Sequence, residues 1–474
     1  MNARADVVVV GGGISGLAAA YSARRAGACV LLLEAQSNAG GVMQTDDTDG
    51  FVVERGPTSM AATAQSMRLL HELGLMGDVV SPPKSAARRY VVRNGKMHAL
   101  PSSPTSLFST DLLTSLGKLR LLAEPFVQRL ANTDYEETLA ELVRRRFGQE
   151  VLDYVVDPFV SGVCAGDATR LSSRHVLRIA GELEREFGSV LLGAVKRARQ
   201  RKDQREGHIV SLRHGMNQLP QAFHRALDGV CAFDTRLVGV SQMGEQISLS
   251  CEIQGIRTTI VADAMICALP SHRLPSIDWP DEWRDNITQL STVPYAPICT
   301  VALGFRRADV SHPLDGFGVL FPSAEKRGIL GALFNSSMFD GRAPSGHVLI
   351  TAFVGGAKFG GAGAGLSEQQ CIRAALDELT PLLGLSGEPT LTKVARWEQG
   401  IPQLEVGHHH ILGAATAIEN GASRVFFTGS YLGGPAVGDC LTHGMQTGAR
   451  AAAFSMNEPL PVEYILARPT AAFL

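Results

Sequence analysis

The stretch that most limits how this chain can fold lies at residues 6–34. An apolar run from Asp6 to Val10 ends in Gly11-Gly12-Gly13-Ile14-Ser15-Gly16-Leu17, and an alanine-rich segment follows. A second apolar run, Cys29 to Leu33, ends at Glu34. Strand, glycine turn, helix, strand and acid stand in the order of a βαβ unit that holds an ADP moiety. Gly11 allows the tight turn, Gly13 lets backbone approach a pyrophosphate, and Gly16 lets the helix pack close to the strand. The helix start at Ile14 and Ser15 favours phosphate charge. Glu34, just ahead of Ala35, can accept both ribose hydroxyls. The unit by itself leaves NAD and FAD open.

The next segments favour FAD. Gly40-Gly41 follows the acid, a pattern of FAD enzymes in which the turn after strand two passes over the diphosphate; Val42 stands where many such enzymes have Arg. Phe51 to Glu54 reads as a strand leading into Gly56, Pro57, Thr58 and Ser59, a turn that lies beside the flavin ring in this fold. Near the end of the chain, Val425-Phe426-Phe427 reads as a strand, Gly429 as a turn, and Val437-Gly438 as the start of a helix from about 438 to 454. A helix dipole aimed at the charge of a reduced flavin near N1 is worth roughly 0.3–2 kcal/mol. The glycines between Val354 and Gly365 do not repeat the first spacing and read as a loop. One dinucleotide site implies that the reductant is the substrate itself, not NAD(P)H.

At 474 residues the chain exceeds one core. With 45% hydrophobic and 19% charged residues it fits a soluble globular protein, and a net charge of −2 gives no general case for nucleic acid. The eight cysteines form no CxxC pair, so they read as reduced, buried thiols of a cytoplasmic protein. A first strand at residue 6 leaves no room for a signal peptide, and no apolar run reaches the roughly 18 residues of a spanning helix. Any membrane contact would then be peripheral. His408-His409-His410 read as strand residues pointing to alternate faces, so no metal is expected.

The pattern along the chain predicts an α/β fold with a discontinuous FAD-binding Rossmann-type domain (1–80, 207–270 and 396–456), a β-sheet substrate domain (81–100 and 271–395), a helical insertion (101–206) and a tail (457–474). A helix is expected near 64–76, a hairpin at 87–96 around Asn94-Gly95, and amphipathic segments near 111–130, 136–147, 149–160 and 173–199. Asp157 to Asp167 reads as a small-residue loop that a large flat ligand could approach, and Lys196 to Arg205 as a basic linker with an alternative use against anionic lipid. Strands are expected near 235–242, 246–253, 258–262 and 263–270. A second sheet follows at 297–305, 316–321, 328–334 and 347–354, with a helix near 367–384.

Several stretches carry a resemblance. The opening GGGISGL and EAQSNAGG are general to amine-oxidase-like flavoproteins, whereas RRYVVRNGKMHALPSSP (88–104), YVVDPFVSGVCAGD (154–167), EREFGSVLLGAVK (184–196), PLDGFGVLFPS (313–323), GALFNSSMF (331–339), TAFVGGA (351–357) and RWEQGIPQLEVGH (396–408) are more specific. From Val7 to about Ala453 the chain resembles the oxygen-dependent protoporphyrinogen oxidases, within the flavin amine-oxidase fold. The resemblance implies FAD, a porphyrinogen substrate, dioxygen as acceptor and six-electron oxidation to the porphyrin. It implies a membrane-binding role for the helical insertion and a place at the inner face of the cell membrane; a homodimer and a hand-off to a ferrochelatase are expectations of the same kind.

Carried over position by position, a substrate propionate would meet Arg89, and Gly162, Val163 and Gly166 would lie over the tetrapyrrole. Ile298, Leu320 and Phe334 would sandwich it, Trp397, Val437 and Gly438 would contact the flavin, and Val238 would cover the adenine. The turn Gly433-Gly434-Pro435-Ala436 departs from the family's usual Gly-Gly-Leu-Ser. No residue is assigned as acid or base. Three rivals share the fold. A coproporphyrinogen III oxidase would use more cations, such as Arg88 and Arg93; an amine oxidase would need an aromatic cage, for which Tyr431 and Trp397 are at hand; a prenyl-GTPase chaperone would need no intact flavin site.

Overall fold

The computed structural model describes residues 4–101, 106, 109–129, 135–200, 208–359, 365–421 and 424–457. Valine-rich Arg4–Val10 forms the middle of a seven-stranded sheet, paired in parallel with Val30–Leu33 on one side and Ile256–Cys267 on the other. Cys231–Ala232 and Val425–Phe427 add further parallel strands, and Gln246–Ile253 and Thr235–Met243 complete the sheet antiparallel. Both faces are covered, which is why its central strands are apolar on alternate and intervening positions alike.

A second seven-stranded sheet runs in the order Leu391–Pro402, Tyr295–Arg306, His347–Gly355, Gly331–Leu333, Gly318–Leu320, Arg89–Arg93, Lys96–Ala99. Its two faces differ. Cys299, Val301, Val319, Ala332, Phe334 and Val354 pack against the helix Glu368–Leu383. The opposite parity, with Arg89, Leu320, Leu333, Phe353, Ile298 and Trp397, looks toward the insertion and the first sheet.

The insertion is helical: Ser115–Leu122, Leu139–Phe147, Asp157–Cys164, Arg178–Phe187 and Val190–Gln200. At its centre Arg146, fully buried, lies 3.1 Å from Glu124 and 3.6 Å from Glu184, while Arg145 reaches Glu137 at 2.7 Å and Glu184 at 2.9 Å.

Four expectations change. Asp157–Cys164 is a helix, not a loop: it continues the helical run from Gln149 through the π-helical turn Leu152–Val156 just before Pro158, and Gly162 lets it lie close on Leu320 of the sheet. His408–His410 open the helix His408–Asn420, because the strand ends at Pro402 and Gly407 turns the chain at φ +89°. The strands expected at 258–262 and 263–270 are one strand, Ile256–Cys267. The segment 173–199 is three helices, broken at Leu177 and at Gly188 with φ +76°. The later part of the basic run, 201–205, lies outside the described residues, as does 458–474 of the tail.

A buried ion pair joins the connection before His347–Gly355 of the second sheet to a separate two-stranded ribbon, Thr45–Thr48 with Phe51–Glu54. Arg342 and Glu54, 1% and 2% exposed, stand 3.1 Å apart. Arg342 also donates to Ser211 Oγ at 2.6 Å and to the Leu212 carbonyl at 3.1 Å, while Glu54 accepts from the Met216 N–H at 2.8 Å and Thr45 Oγ1 at 2.6 Å. Burial pushes the Glu54 carboxyl up and the Arg342 guanidinium down, against their mutual attraction. Removing one member strands a buried charge. Arg342→Ala should therefore lower stability by about 3–5 kcal/mol, and the paired change Arg342→Met with Glu54→Gln should recover much of the loss, read by urea unfolding.

Candidate FAD site and substrate face

Gly11 takes φ +107°, and a Cβ on Gly16 would overlap the Gly11 carbonyl oxygen. Gly13 has no other atom within 4 Å of where its Cβ would stand, so the space beside it is open. The acid-to-glycine turn closes on this one: the Gly40 N–H donates to the Gly12 carbonyl at 2.8 Å, and Gly13 and Gly40 form a parallel bridge. Gly40 and Gly41 hold φ of +125° and +58°, which side chains rarely adopt. Glu34 accepts from the Gly12 N–H at 2.6 Å and the Gln36 N–H at 2.8 Å, while Ala35 is exposed. The Thr235 N–H bonds the Glu34 carbonyl at 2.9 Å, which brings half-buried Val238 to the same end of the sheet.

The helix Ile14–Arg25, with Ile14 and Ser15 buried in its first turn, runs parallel to Val437–Met456. Gly444 lies against the Ser15 carbonyl and Gly448 against the Ala19 carbonyl, with no room for a side chain at either. This register starts the closing helix about 9 Å further out than the first. Val437 is buried in the core, and Gly438, like Gly13, has nothing within 4 Å of its Cβ position. Two helix N-termini thus face the same side with open space at both. Gly429, at φ +150°, begins the short turn Ser430–Gly433, and Thr428 Oγ1 bonds His443 Nδ1 at 2.9 Å.

Gly56, Pro57, Thr58 and Ser59 are half-buried; a Cβ on Gly56 would overlap the Val42 carbonyl, and Thr58 accepts from Ser211 Oγ at 2.8 Å. Trp397 Nε1 donates to the Arg55 carbonyl at 2.8 Å, which pins the second sheet to this turn. Trp397 stands directly opposite Ile298, and the two share a face. Further along, Leu320 touches Gly162 of the insertion helix, whose Val163 is 46% exposed. Gly166 packs against Leu171 and Gln403. The helix is held there by Asp157, which accepts from Lys358 Nζ and, at 2.9 Å, from the Ser323 N–H. Arg89 is exposed, and its guanidinium lies 5.3 Å from the centroid of the Phe317 ring.

Phe334 is not on this face. It is fully buried on the other side with Val319 and Leu379, because side chains alternate and Ala332 already faces that core. Leu333, half-buried, is the neighbour that points toward the insertion. Sequence reading also passed over the Arg342–Glu54 and Lys358–Asp157 contacts. Each joins residues more than a hundred positions apart, and neither leaves a local motif. Among the described residues no group of three or more His, Cys, Asp or Glu could hold a metal ion.

The profile of flavin containing amine oxidoreductases matches residues 14–453. The chain is 31% identical to the mitochondrial protoporphyrinogen oxidase of Nicotiana tabacum over 92% of its length and 93% of the relative's. It is 29% identical to the coproporphyrinogen III oxidase of Bacillus subtilis (strain 168) over 92% and 96%. A crystal structure from Exiguobacterium sp. 255-15 shares the fold with a TM-score of 0.79 at 23% identity, covering 97% of this chain and 100% of the other.

The chain belongs to the flavin-containing amine oxidoreductase family, and FAD is the cofactor this membership implies. The open cradles at Gly13 and Gly438 fit that group. Gly13→Val should leave the apo protein's melting temperature unchanged, since the added atoms meet no protein, yet abolish flavin content read at 450 nm, roughly the band of any oxidised flavin. Gly16→Val, in contrast, should impair folding itself.

Proposed function

We propose that this chain oxidises protoporphyrinogen IX to protoporphyrin IX, removing six electrons in three rounds, with dioxygen as final acceptor. Bound FAD supplies the hydride acceptor and, on reoxidation, hydrogen peroxide. The protein's share is position and charge. Ile298, Leu320, Leu333 and Phe353 offer an apolar surface beside Trp397, and the helix Asp157–Cys164 closes over it. In this reading Gly162, Val163 and Gly166 border the macrocycle, and Gly429, Val437 and Gly438 border the flavin.

The observation that carries the choice of substrate is the state of the hairpin arginines. Arg88 pairs with Asp315, which also accepts from the Tyr90 hydroxyl at 2.9 Å. Arg93 is taken by Glu150 at 2.7 Å and stacks on Tyr154 at 4.3 Å. Arg89 makes no ion pair among the described residues. One anchoring cation suits a substrate with two propionates better than coproporphyrinogen III with four. Tyr431, fully buried in the core of the first sheet, cannot flank a flavin ring, which leaves an amine oxidase without its cage.

Incubated in air with each porphyrinogen, the FAD-loaded protein should develop porphyrin fluorescence faster from protoporphyrinogen IX; equal or preferred turnover of coproporphyrinogen III would reverse the assignment. Arg89→Ala should raise KM about 10- to 150-fold, the equivalent of a charge-assisted bond of roughly 1.5–3 kcal/mol, with kcat and flavin content little changed. Arg88→Ala, which only frees Asp315, should do far less.

No helix among the described residues is long and apolar enough to cross a membrane. We assign peripheral contact to the outer side of the insertion, where Leu116 is 75% and Phe126 90% exposed beside Leu119, Leu192 and Val195. Phe126→Glu should reduce co-sedimentation with anionic vesicles at least several-fold without altering turnover of dispersed substrate.

A further inference from the structure

Behind the turn that precedes the closing helix lies a cleft that Cys164, at the end of the insertion helix, and Pro402, at the end of the strand Leu391–Pro402, also line. Its inner wall is Leu432, Gly433, Gly434, Pro435 and Asp439. Its sides are mainly aliphatic, with Leu171, Val176, Leu404 and Leu412, and Arg174 and Arg178 stand exposed along its edge. At about 200 Å³ it falls below the roughly 300–1,000 Å³ of sites for drug-sized ligands and cannot take a tetrapyrrole. It has room for a few molecules the size of water.

Two imidazoles line the cleft, His175 and His408, their rings edge to face at 5.1 Å. His408 is 4% exposed, and its ring also bonds the Tyr431 backbone. The Nε2 atom of each ring is buried without a hydrogen-bond partner among the described residues. Burial pushes His408 down to about 4 and lowers His175 as well, so both are neutral at pH 7. The same cause pushes the Asp439 carboxyl up to about 7. Charge stands at the cleft's margins, with Glu136 3.8 Å from His175 Nε2 and Arg174 and Arg178 along the edge. A mainly aliphatic lining and a position against the turn before Val437 suit a small apolar molecule better than an ion.

We propose that this cleft is the port through which dioxygen reaches the flavin and hydrogen peroxide leaves, separate from the sheet face that takes the porphyrinogen. The proposal rests on reading Val437 and Gly438 as flavin contacts. Reoxidation of the two-electron-reduced cofactor consumes one dioxygen and one proton besides the one it carries, and yields one hydrogen peroxide. The oxidant needs only apolar space, which the aliphatic sides at Leu171, Val176, Leu404 and Leu412 supply. A separate port lets the oxidant arrive while a flat substrate or product still covers the other approach.

Xenon reports apolar cavities without any catalysis, and one of about 150 Å³ suffices. Xenon-pressurised crystals of the FAD-loaded protein should show xenon between Leu171, Leu404 and Leu412, and Leu412→Trp should remove it. In the same variant, photoreduced flavin should reoxidise in air at least tenfold more slowly, with flavin content and the anaerobic rate of reduction by porphyrinogen within twofold of the parent. Should Leu412→Trp not fold, Val176→Phe makes the same comparison. An absence of xenon in the parent cleft, or reoxidation unchanged by the filled cleft in a flavin-replete variant, would overturn the port alone. A chain that binds no FAD would overturn the flavin reading, and the port with it.

Discussion

A guanidinium and a carboxylate that share almost no contact with solvent, Arg342 and Glu54, tie the second sheet to the two-stranded ribbon that leads into the Gly56–Ser59 turn. Glu54 ends the strand Phe51–Glu54, two residues before the Gly56–Ser59 turn, and Arg342 sits between two strands of the second sheet. Neither charge is comfortable there, since burial opposes both ionised forms. They stay because both are held by neighbours: Glu54 accepts from Thr45 and Met216, and Arg342 donates to Ser211 and the Leu212 carbonyl. Such a pair adds little net stability over an apolar replacement, but it tolerates few alternative geometries. The Trp397 bond to Arg55 repeats the link a few residues away, so the face bearing Ile298 and Leu320 is held against one turn of the nucleotide domain.

Within that domain, the absence of side chains does as much as their presence. At Gly16, Gly444 and Gly448 backbone meets backbone: Gly16 closes on the Gly11 turn, and Gly444 and Gly448 bring two helices from opposite ends of the chain side by side. Gly13 and Gly438 are different: nothing of the protein approaches them, and that open space is what bound FAD is proposed to fill. The first set holds the fold, and the second is left free by it.

The order of elements was legible because hydrophobic period and glycine spacing are local properties. The unit from Arg4 to Glu34, the hairpin at Asn94-Gly95 and the helix Glu368–Leu383 follow from residues within reach of one another. What failed was local too. Asp157 to Asp167 has the composition of a loop, yet 157–164 prolong the helical run that begins at Gln149 and pack with Gly162 against Leu320 of the sheet. Phe334 was one position out of phase with its strand, and a period of two turns one residue into the opposite face. The histidines after Gly407 needed the positive φ of that glycine to be seen as a helix start. Long-range ion pairs left no trace at all.

The same distance problem governs specificity. Read along the chain, Arg88, Arg89 and Arg93 are three equal cations in one hairpin, and a substrate with four carboxylates looks as well served as one with two. Folding makes them unequal. Asp315, more than two hundred residues away, takes Arg88, and Glu150 of the insertion takes Arg93, which also loses its freedom against Tyr154. A carboxylate of the protein competes with a carboxylate of the ligand for the same donors, and an internal partner has the advantage of being already in place. Among the described residues Arg89 meets the face of Phe317 and no acid, a contact that orients the guanidinium without neutralising it. On the proposed reading, the number of propionates the pocket could hold is set less by how many arginines line it than by how many the fold has left without an acid.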